Sequence, residues 1–178
     1  MAAPITTPND PGNRDRYFVS CARGFFRTDD RGRSWRRVED GMPWAYTEKH
    51  SYAHDWMFLP GDPLRILLCG ADGSPGVWSE ENRPPQGVLL LSDDTGKHWY
   101  KAAEGLPSKM SWMPWVLAPH PTDSGTVFAG MGDTSRGFGF DPRVAGTGSM
   151  YVTRDRGDSW EPVIAQGPSI LTAWVAAD

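Results

Sequence analysis

Apolar residues occur along this chain in short runs, and glycine, proline or acidic residues bound each run. Tyr17-Phe18-Val19 is followed after a brief turn by Phe25-Phe26, and Val88-Leu89-Leu90-Leu91 repeats the pattern later. Such runs are rich in β-branched, aromatic and aliphatic residues and too short for helices, so they predict strands. Twenty Gly and sixteen Pro in 178 residues supply frequent turns. The sequence therefore predicts an all-β fold.

One turn motif occurs three times and precedes a strand each time. A hydroxyl residue and an Asp two positions later can accept backbone N–H groups in a tight hairpin, and Gly supplies a positive φ. A Trp then begins the next strand. The copies are Thr28-Asp29-Asp30-Arg31-Gly32-Arg33-Ser34-Trp35, Ser92-Asp93-Asp94-Thr95-Gly96-Lys97-His98-Trp99 and Thr153-Arg154-Asp155-Arg156-Gly157-Asp158-Ser159-Trp160.

This hydroxyl-x-Asp-x-Gly-x-x-Trp pattern resembles the Asp-box, or BNR, repeat of β-propellers. That repeat occurs in sialidases, xyloglucanase-type glycosidases, sortilin-like receptors and a photosystem II assembly factor. The resemblance implies four-stranded blades in which each box is a structural turn between the third and fourth strands. It does not carry sialidase chemistry across, because no Arg-Ile-Pro-type segment precedes the first box. Arg83, Arg136 and Arg143 match the sialidase arginine triad only incompletely.

The repeat predicts a single domain, 1–178, that contains three blades. Trp56, Trp115 and Trp174 recur at equal spacing and mark three innermost strands. No innermost strand is predicted ahead of Tyr17, whereas one is predicted at the C-terminal end. One blade would therefore combine strands from both ends of the chain, because ring closure removes unpaired sheet edges. The predicted blades are 9–40 plus 169–178, 50–102, and 109–163.

Three blades are too few for a ring, since propellers have about four to eight. We predict a head-to-tail homodimer that closes a six-bladed ring, in which residues 169–177 of each copy pair with residues 16–20 of the other. The alternative is that the chain is a fragment of a longer propeller.

Composition argues against several classes of protein. The net charge is −4 with both signs interspersed, which offers no basic stripe for nucleic acid. No apolar run reaches the roughly 18 residues of a membrane span, and residues 1–16 lack the apolar centre of a signal peptide. Cys21 and Cys69 fall in different repeats, which predicts two free thiols and a cytoplasmic location.

The loops expected on the ligand face differ between repeats, as binding loops on a rigid scaffold do. The insertions 71–86 and 131–147 and the loop 44–56 carry aromatic and ionisable residues. An extended end of the last loop would place His50, Tyr52, His54 and Trp56 on one face. The predicted ligand-binding residues are Trp44, Trp78, Lys109, Trp112, Arg136 and Arg143.

Three interpretations of the histidines stay open. His50 and His54 could bind a divalent metal with a carboxylate, either Asp133, which we take as the third ligand, or Asp55 or Glu80. Alternatively one His acts as a general base, which makes His50, His54, Asp55 and Tyr52 the catalytic candidates. The third interpretation is that the imidazoles only bond to neighbouring backbone. His98 in a box and His120 in a turn are expected to be structural.

Two functions are compatible with these features. The first is an enzyme of hydrolase or lyase type that acts on a small molecule, such as a sugar or another polar-aromatic ligand. The second is a non-catalytic scaffold or receptor that binds a protein or a carbohydrate. The cluster of His, acidic and aromatic residues in 44–56 favours the enzyme.

Overall fold

The computed structural model describes residues 5–6, 10–47, 49–132, 147–170 and 173–176, which form three antiparallel four-stranded sheets. No helix of these residues is long and apolar enough to cross a bilayer. The first sheet contains β1 (Ile5–Thr6), β2 (Tyr17–Cys21), β3 (Gly24–Thr28) and β4 (Arg36–Arg37). The second contains β5 (Ser51–Phe58), β6 (Ile66–Asp72), β7 (Gly87–Ser92) and β8 (Tyr100–Lys101), with helix α1 (Pro75–Glu80) between β6 and β7. The third contains β9 (Met113–Pro119), β10 (Val127–Gly132), β11 (Thr147–Thr153) and β12 (Glu161–Pro168).

The second sheet lies between the other two, which explains its sequence. Both faces of β6 and β7 are covered, so these strands are nearly continuous apolar runs and do not alternate. Towards the first sheet, Trp56 packs edge-on against Phe18 and Phe25, with ring centroids 5.2 and 5.3 Å apart. Cys69 is fully buried in the same core, and burial raises the pKa of its thiol well above the usual range. Cys69 and Cys21 are both unpaired thiols.

The three boxes share one hydrogen-bond arrangement. In the first, the Thr28 hydroxyl accepts the Gly32 amide at 2.9 Å, and Asp30 Oδ1 accepts the Ser34 amide at 2.8 Å. The Ser34 hydroxyl and amide lower the pKa of Asp30 to about 2. The box glycines Gly32, Gly96 and Gly157 have φ of 85°, 76° and 91°. This confirms the predicted structural turns.

A second repeated contact joins each sheet to the next, and we call it the junction. The Trp99 amide donates to the Asp40 carbonyl at 2.7 Å, and the Trp160 amide donates to the Glu104 carbonyl at 3.0 Å. The residue after each accepting carbonyl is a glycine with positive φ, 88° at Gly41 and 77° at Gly105. A Cβ on either glycine would overlap the tryptophan carbonyl. The repeated glycines therefore allow two backbones to meet.

The innermost strand of the first sheet differs from the prediction. Ile5 pairs with Ser20 and Thr6 with Val19, so β1 of the same chain takes the place assigned to residues 169–178. The open edge of β2 accepts any extended segment, and one close in sequence is available within the chain. In the C-terminal segment, the Ile170 amide donates to the Met131 carbonyl at 3.2 Å, and Trp174 is exposed. Pairing of 169–177 with a second chain stays a prediction.

Candidate functional site

A β-bulge in β5 decides which way the candidate residues point. Ala53 pairs with Gly70 and Trp56 with Leu68, so the two residues between them, His54 and Asp55, face the single residue Cys69. The alternation shifts there by one residue. Trp56 consequently contacts the first sheet, whereas His54 contacts the third. The prediction that Trp56 shares a face with His50, Tyr52 and His54 is wrong for this reason.

His54 belongs to an aromatic cluster between the second and third sheets. Its Nδ1 lies 3.2 Å from the Tyr52 hydroxyl, and its ring meets Trp115 edge-on at 4.9 Å. Trp78 contacts both Tyr52 and Trp115, at 6.0 and 6.2 Å between centroids. Burial lowers the pKa of His54, against a smaller opposing effect of the Asp55 charge, and raises the pKa of Tyr52 to about 12. Both side chains are therefore held neutral, which suits packing.

Trp78 differs from its predicted role as an open ligand contact. It lies on α1, is fully buried, and donates its Nε1 hydrogen to the Asp72 carbonyl at 2.7 Å. The insertion folds back as a short helix and covers Tyr52, so the tryptophan completes the core. The sequence of 71–86 has no helical periodicity that would predict this buried position of Trp78, because α1 has only six residues.

Both oxygens of the Asp55 carboxylate accept hydrogen bonds from backbone amides. Its Oδ1 accepts the Trp56 amide at 2.9 Å, and its Oδ2 accepts the Leu117 amide in the third sheet at 2.8 Å. Burial raises the pKa of Asp55, and these two hydrogen bonds oppose that change. The predicted catalytic candidate Asp55 therefore ties two sheets together.

His50 is the candidate that remains accessible, and the structure gives it a carboxylate partner. His50 Nδ1 lies 2.8 Å from Asp72 Oδ1, and the two side chains are only partly buried. Arg83 Nη2 donates to the Asp72 carbonyl at 3.0 Å and lies 3.5 Å from Asp72 Oδ2. Glu81 Oε1 stands 3.8 Å from the other imidazole nitrogen, Nε2. This group forms the candidate site.

Asp72 was not assigned a role from the sequence. It lies in the insertion, but its closeness to His50 depends on the register that pairs Ser51 with Asp72 at the ends of β5 and β6. A hairpin register of this kind brings the residue before one strand beside the residue that ends the other. This strand register was the signal that could have identified His50 and Asp72 as a pair.

The other predicted ligand contacts do not converge on His50. Trp44 packs over Gly70, which pairs with Ala53 in the neighbouring strand. This face of the second sheet is directed towards the first sheet. Lys109 is exposed and Trp112 is partly buried against the core, beyond the bridge between Gly87 and Met110. The remaining predicted residues, Asp133, Arg136 and Arg143, lie outside the described residues.

Within the described ranges, no group of three His, Cys, Asp or Glu side chains could hold a metal ion. His50 and His54 in particular have different surroundings, since one bonds to Asp72 and the other to Tyr52. Because His54 is directed into an aromatic cluster, the described part of the predicted metal set supplies no common centre.

Comparison with solved structures supports the fold. An ancestral GH74 enzyme superposes with a TM-score of 0.59 at 16% identity, over 95% of this chain and 20% of that one. The GH74 xyloglucanase from Xanthomonas campestris gives 0.53 at 17% identity, over 85% and 19%. YCF48 from Cyanidioschyzon merolae gives 0.47 at 20% identity, over 90% and 42%.

No protein-family model matches the sequence, and no match is found among curated proteins. The chain spans about a fifth of the length of the two GH74 structures. The likeness to the two GH74 structures, together with the three boxes and the three sheets, confirms a partial β-propeller with Asp-box turns. These likenesses concern the fold, and a fold by itself does not determine an activity.

Proposed function

We propose that the chain acts on a small polar molecule at the loop end of the second sheet, with His50 and Asp72 as an acid–base pair in a hydrolytic reaction. The observation that carries this proposal is the 2.8 Å contact between His50 Nδ1 and Asp72 Oδ1. A carboxylate on one imidazole nitrogen fixes the tautomer, which leaves the other nitrogen free to accept a proton.

The surroundings of the pair support this role. In the tautomer whose Nδ1–H is donated to Asp72, the Nε2 lone pair can take a proton from water that attacks a substrate, and Arg83 Nη2 lies 3.4 Å from Nδ1. Arg83 places positive charge beside Asp72. Hydrogen bonds from Arg83 and Lys49 lower the pKa of Glu81, so near Nε2 Glu81 is an anion at neutral pH. An anion there favours the imidazolium that forms as the proton arrives.

The same base serves a lyase, because β-elimination also begins when a base removes a proton. Hydrolysis, with water as the co-reactant, is the reaction that we propose, and elimination is its alternative. A sugar, through its hydroxyl groups, or an activated ester would suit the polar lining formed by Lys49, Glu81 and Arg83.

The experiment uses 4-nitrophenyl esters and 4-nitrophenyl glycosides as probes of turnover. His50→Gln and Asp72→Asn should each lower turnover by about 100-fold, because the first removes the general base and the second removes the carboxylate that fixes its tautomer. His120→Gln is the matched control, since His120 lies in the turn after β9 and its imidazole Nδ1 contacts the nearby Thr122 and Asp123. Equal turnover in His50→Gln and the unmodified chain would contradict the proposal.

A non-catalytic role in binding a protein or a carbohydrate is the second candidate. The observation that favours it is a mixed-charge surface, in which Lys49 contacts Glu80 and Glu81 at 3.4 and 3.3 Å. Such exposed ion pairs contribute little to stability, so their value would lie in recognition. Absence of turnover on every probe, with intact folding, would favour this role.

We also propose that a second copy of the chain completes the propeller, because three sheets are half of a six-bladed ring. The unpaired thiols Cys21 and Cys69 support a reducing compartment, and we propose the cytoplasm. Light scattering on the purified chain tests the first of these proposals, and cell fractionation tests the second.

A further inference from the structure

We infer that the two outer faces of the three-sheet unit are the halves of one more junction, and that a second copy of this chain joins them. Trp35 of one copy would lie on the β12 segment 163–167 of the other. This inference rests on the self-association proposed above and names the surfaces that carry it.

The two junctions inside the chain define what such a contact requires. Trp99 and Trp160, the box tryptophans of the second and third sheets, are only 4% and 3% exposed. The preceding sheet covers each of them and accepts its backbone amide through a carbonyl, that of Asp40 or Glu104. Trp99 Nε1 also donates to the Val38 carbonyl at 2.9 Å.

The first box lacks that cover. Trp35 occupies the position of Trp99 and Trp160 in its motif, yet it is 44% exposed. No sheet precedes it among the described residues. Its indole lies over its own Gly32, 3.7 Å from where a Cβ would be, as the covered Trp99 lies over Gly96, so only the outer side of the Trp35 ring differs. A large aromatic ring in this state is the kind of residue that dominates interfaces.

The third sheet lacks cover on its other side, since no sheet follows it among the described residues. The residue three positions after each box tryptophan is apolar, and it is 7% exposed at Val38, 4% at Ala102 and 51% at Val163. The following sheet covers the first two. In addition, β12 continues through eight residues to Pro168, whereas β4 and β8 have two residues each before the chain turns into a junction. The third sheet therefore presents an uncovered apolar surface where the other two sheets are covered.

Strand register predicts how the two uncovered faces fit together. β12 contains one extra residue, because Tyr151 pairs with Pro162 and Met150 pairs with Ile164. The residue equivalent to Asp40 and Glu104 is therefore Gln166, and Gly167 follows it as a glycine follows each of the other two. The Gln166 carbonyl of one copy would accept the Trp35 amide of the other, while Val163 and Ile164 cover the indole.

Charge favours a second copy over an unrelated occupant. Between the second and third sheets, Arg65 beside β6 forms an ion pair with Asp158 in the next box. At the outer faces Arg33 takes the position of Asp158, and the exposed Asp123 lies three residues before Thr126, the neutral residue at the position of Arg65. Charges of opposite sign therefore stand at the two ends of this chain, which favours a second copy.

The test is analytical ultracentrifugation of the 178-residue chain. We expect a dimer whose dissociation constant rises by about a hundredfold or more in Trp35→Ala and in Val163→Arg. Both side chains are exposed in the single chain, so circular dichroism should stay unchanged. Leu64→Ala is the matched control, because Leu64 is equally exposed but lies outside the proposed surfaces, and it should leave the dimer intact.

Mixing the two variants tests the head-to-tail arrangement. Trp35→Ala chains retain a normal Val163, and Val163→Arg chains retain a normal Trp35, so a mixed pair has one intact junction while neither variant alone has any. A mixed dimer would support the inference, and its absence would overturn it. A dimer that survives Trp35→Ala would overturn these surfaces but leave self-association standing. A monomeric unmodified chain would overturn both, and further blades or another protein would then cover these faces.

Discussion

The Asp55 carboxylate and the Leu117 amide are joined at 2.8 Å across the gap between the second and third sheets. Asp55 lies in the bulge of β5, and Leu117 lies in β9, so the bond links the inner strands of the two sheets. A side chain that the sequence suggests for catalysis thus holds the backbone of the neighbouring sheet.

Replacing Asp55 should lower stability without removing an acid–base group. Asp55→Ala leaves the Trp56 and Leu117 amides without their acceptor, which should lower the free energy of unfolding by about 1–3 kcal/mol. Urea denaturation measures the change, and any turnover on 4-nitrophenyl probes should persist at a temperature where the variant is folded. Unchanged stability with lost turnover would restore Asp55 as a catalytic candidate.

The Asp-box carboxylates should behave as structural groups. Asp155 accepts the Ser159 amide at 2.9 Å and the Thr153 hydroxyl at 2.7 Å. Asp155→Ala should therefore cost about 1–3 kcal/mol in the free energy of unfolding and leave ligand binding unaffected in the folded fraction. Lys97→Ala in the second box is the control, because it changes only an exposed side chain and should alter stability by less than about 0.5 kcal/mol. Loss of binding without loss of stability would show that the boxes are functional.

A matched pair of glycine substitutions tests the junction. Gly105 has φ of 77°, and a Cβ there would overlap the Trp160 carbonyl, so Gly105→Ala should destabilise by more than about 1 kcal/mol. Gly76 lies in α1, where a Cβ would meet only the Ser74 hydroxyl at 3.8 Å. Gly76→Ala should be neutral or stabilising by up to about 1 kcal/mol. Similar urea midpoints for the two variants would contradict the junction.

Acid should destabilise the fold through His54. Burial lowers its pKa below the usual 6.5, so below pH 6.5 the unfolded chain binds a proton that the folded chain does not. Stability is consequently lost as pH falls from 6.5 towards the folded pKa, and His54 has no effect well above pH 6.5. The slope of unfolding free energy against pH should be shallower in His54→Gln than in His120→Gln. Equal slopes would mean that His54 titrates normally.

The fold was predictable from the sequence because the determining features repeat. Each box supplies its own acceptors and its own positive φ, so no distant residue is needed to form the turn. The apolar runs Ile66-Leu67-Leu68 and Val88-Leu89-Leu90-Leu91 likewise mark two strands that are covered on both faces. The innermost strand of the first sheet was harder to predict, since several extended segments can satisfy the same edge of β2.

The site was less predictable because it depends on non-local geometry. One extra residue in β5 reverses the direction of Trp56, and no local signal in His54-Asp55 shows that Cys69 will face both of them. The burial of Trp78 requires the insertion to fold back over Tyr52. Of the histidine candidates, only His50 bonds to a carboxylate side chain, and its partner Asp72 follows from strand register.

The bulge also makes the length of β5 functionally sensitive, unlike that of a surface loop. Deleting either His54 or Asp55 would restore strict alternation, and every side chain before the deletion would change sides. Ser51 would lose its 2.6 Å bond to Glu39 in the first sheet, and Tyr52 would leave Trp78. A substitution in β5 therefore keeps the direction of the other side chains, whereas a deletion or insertion of one residue reverses half of them.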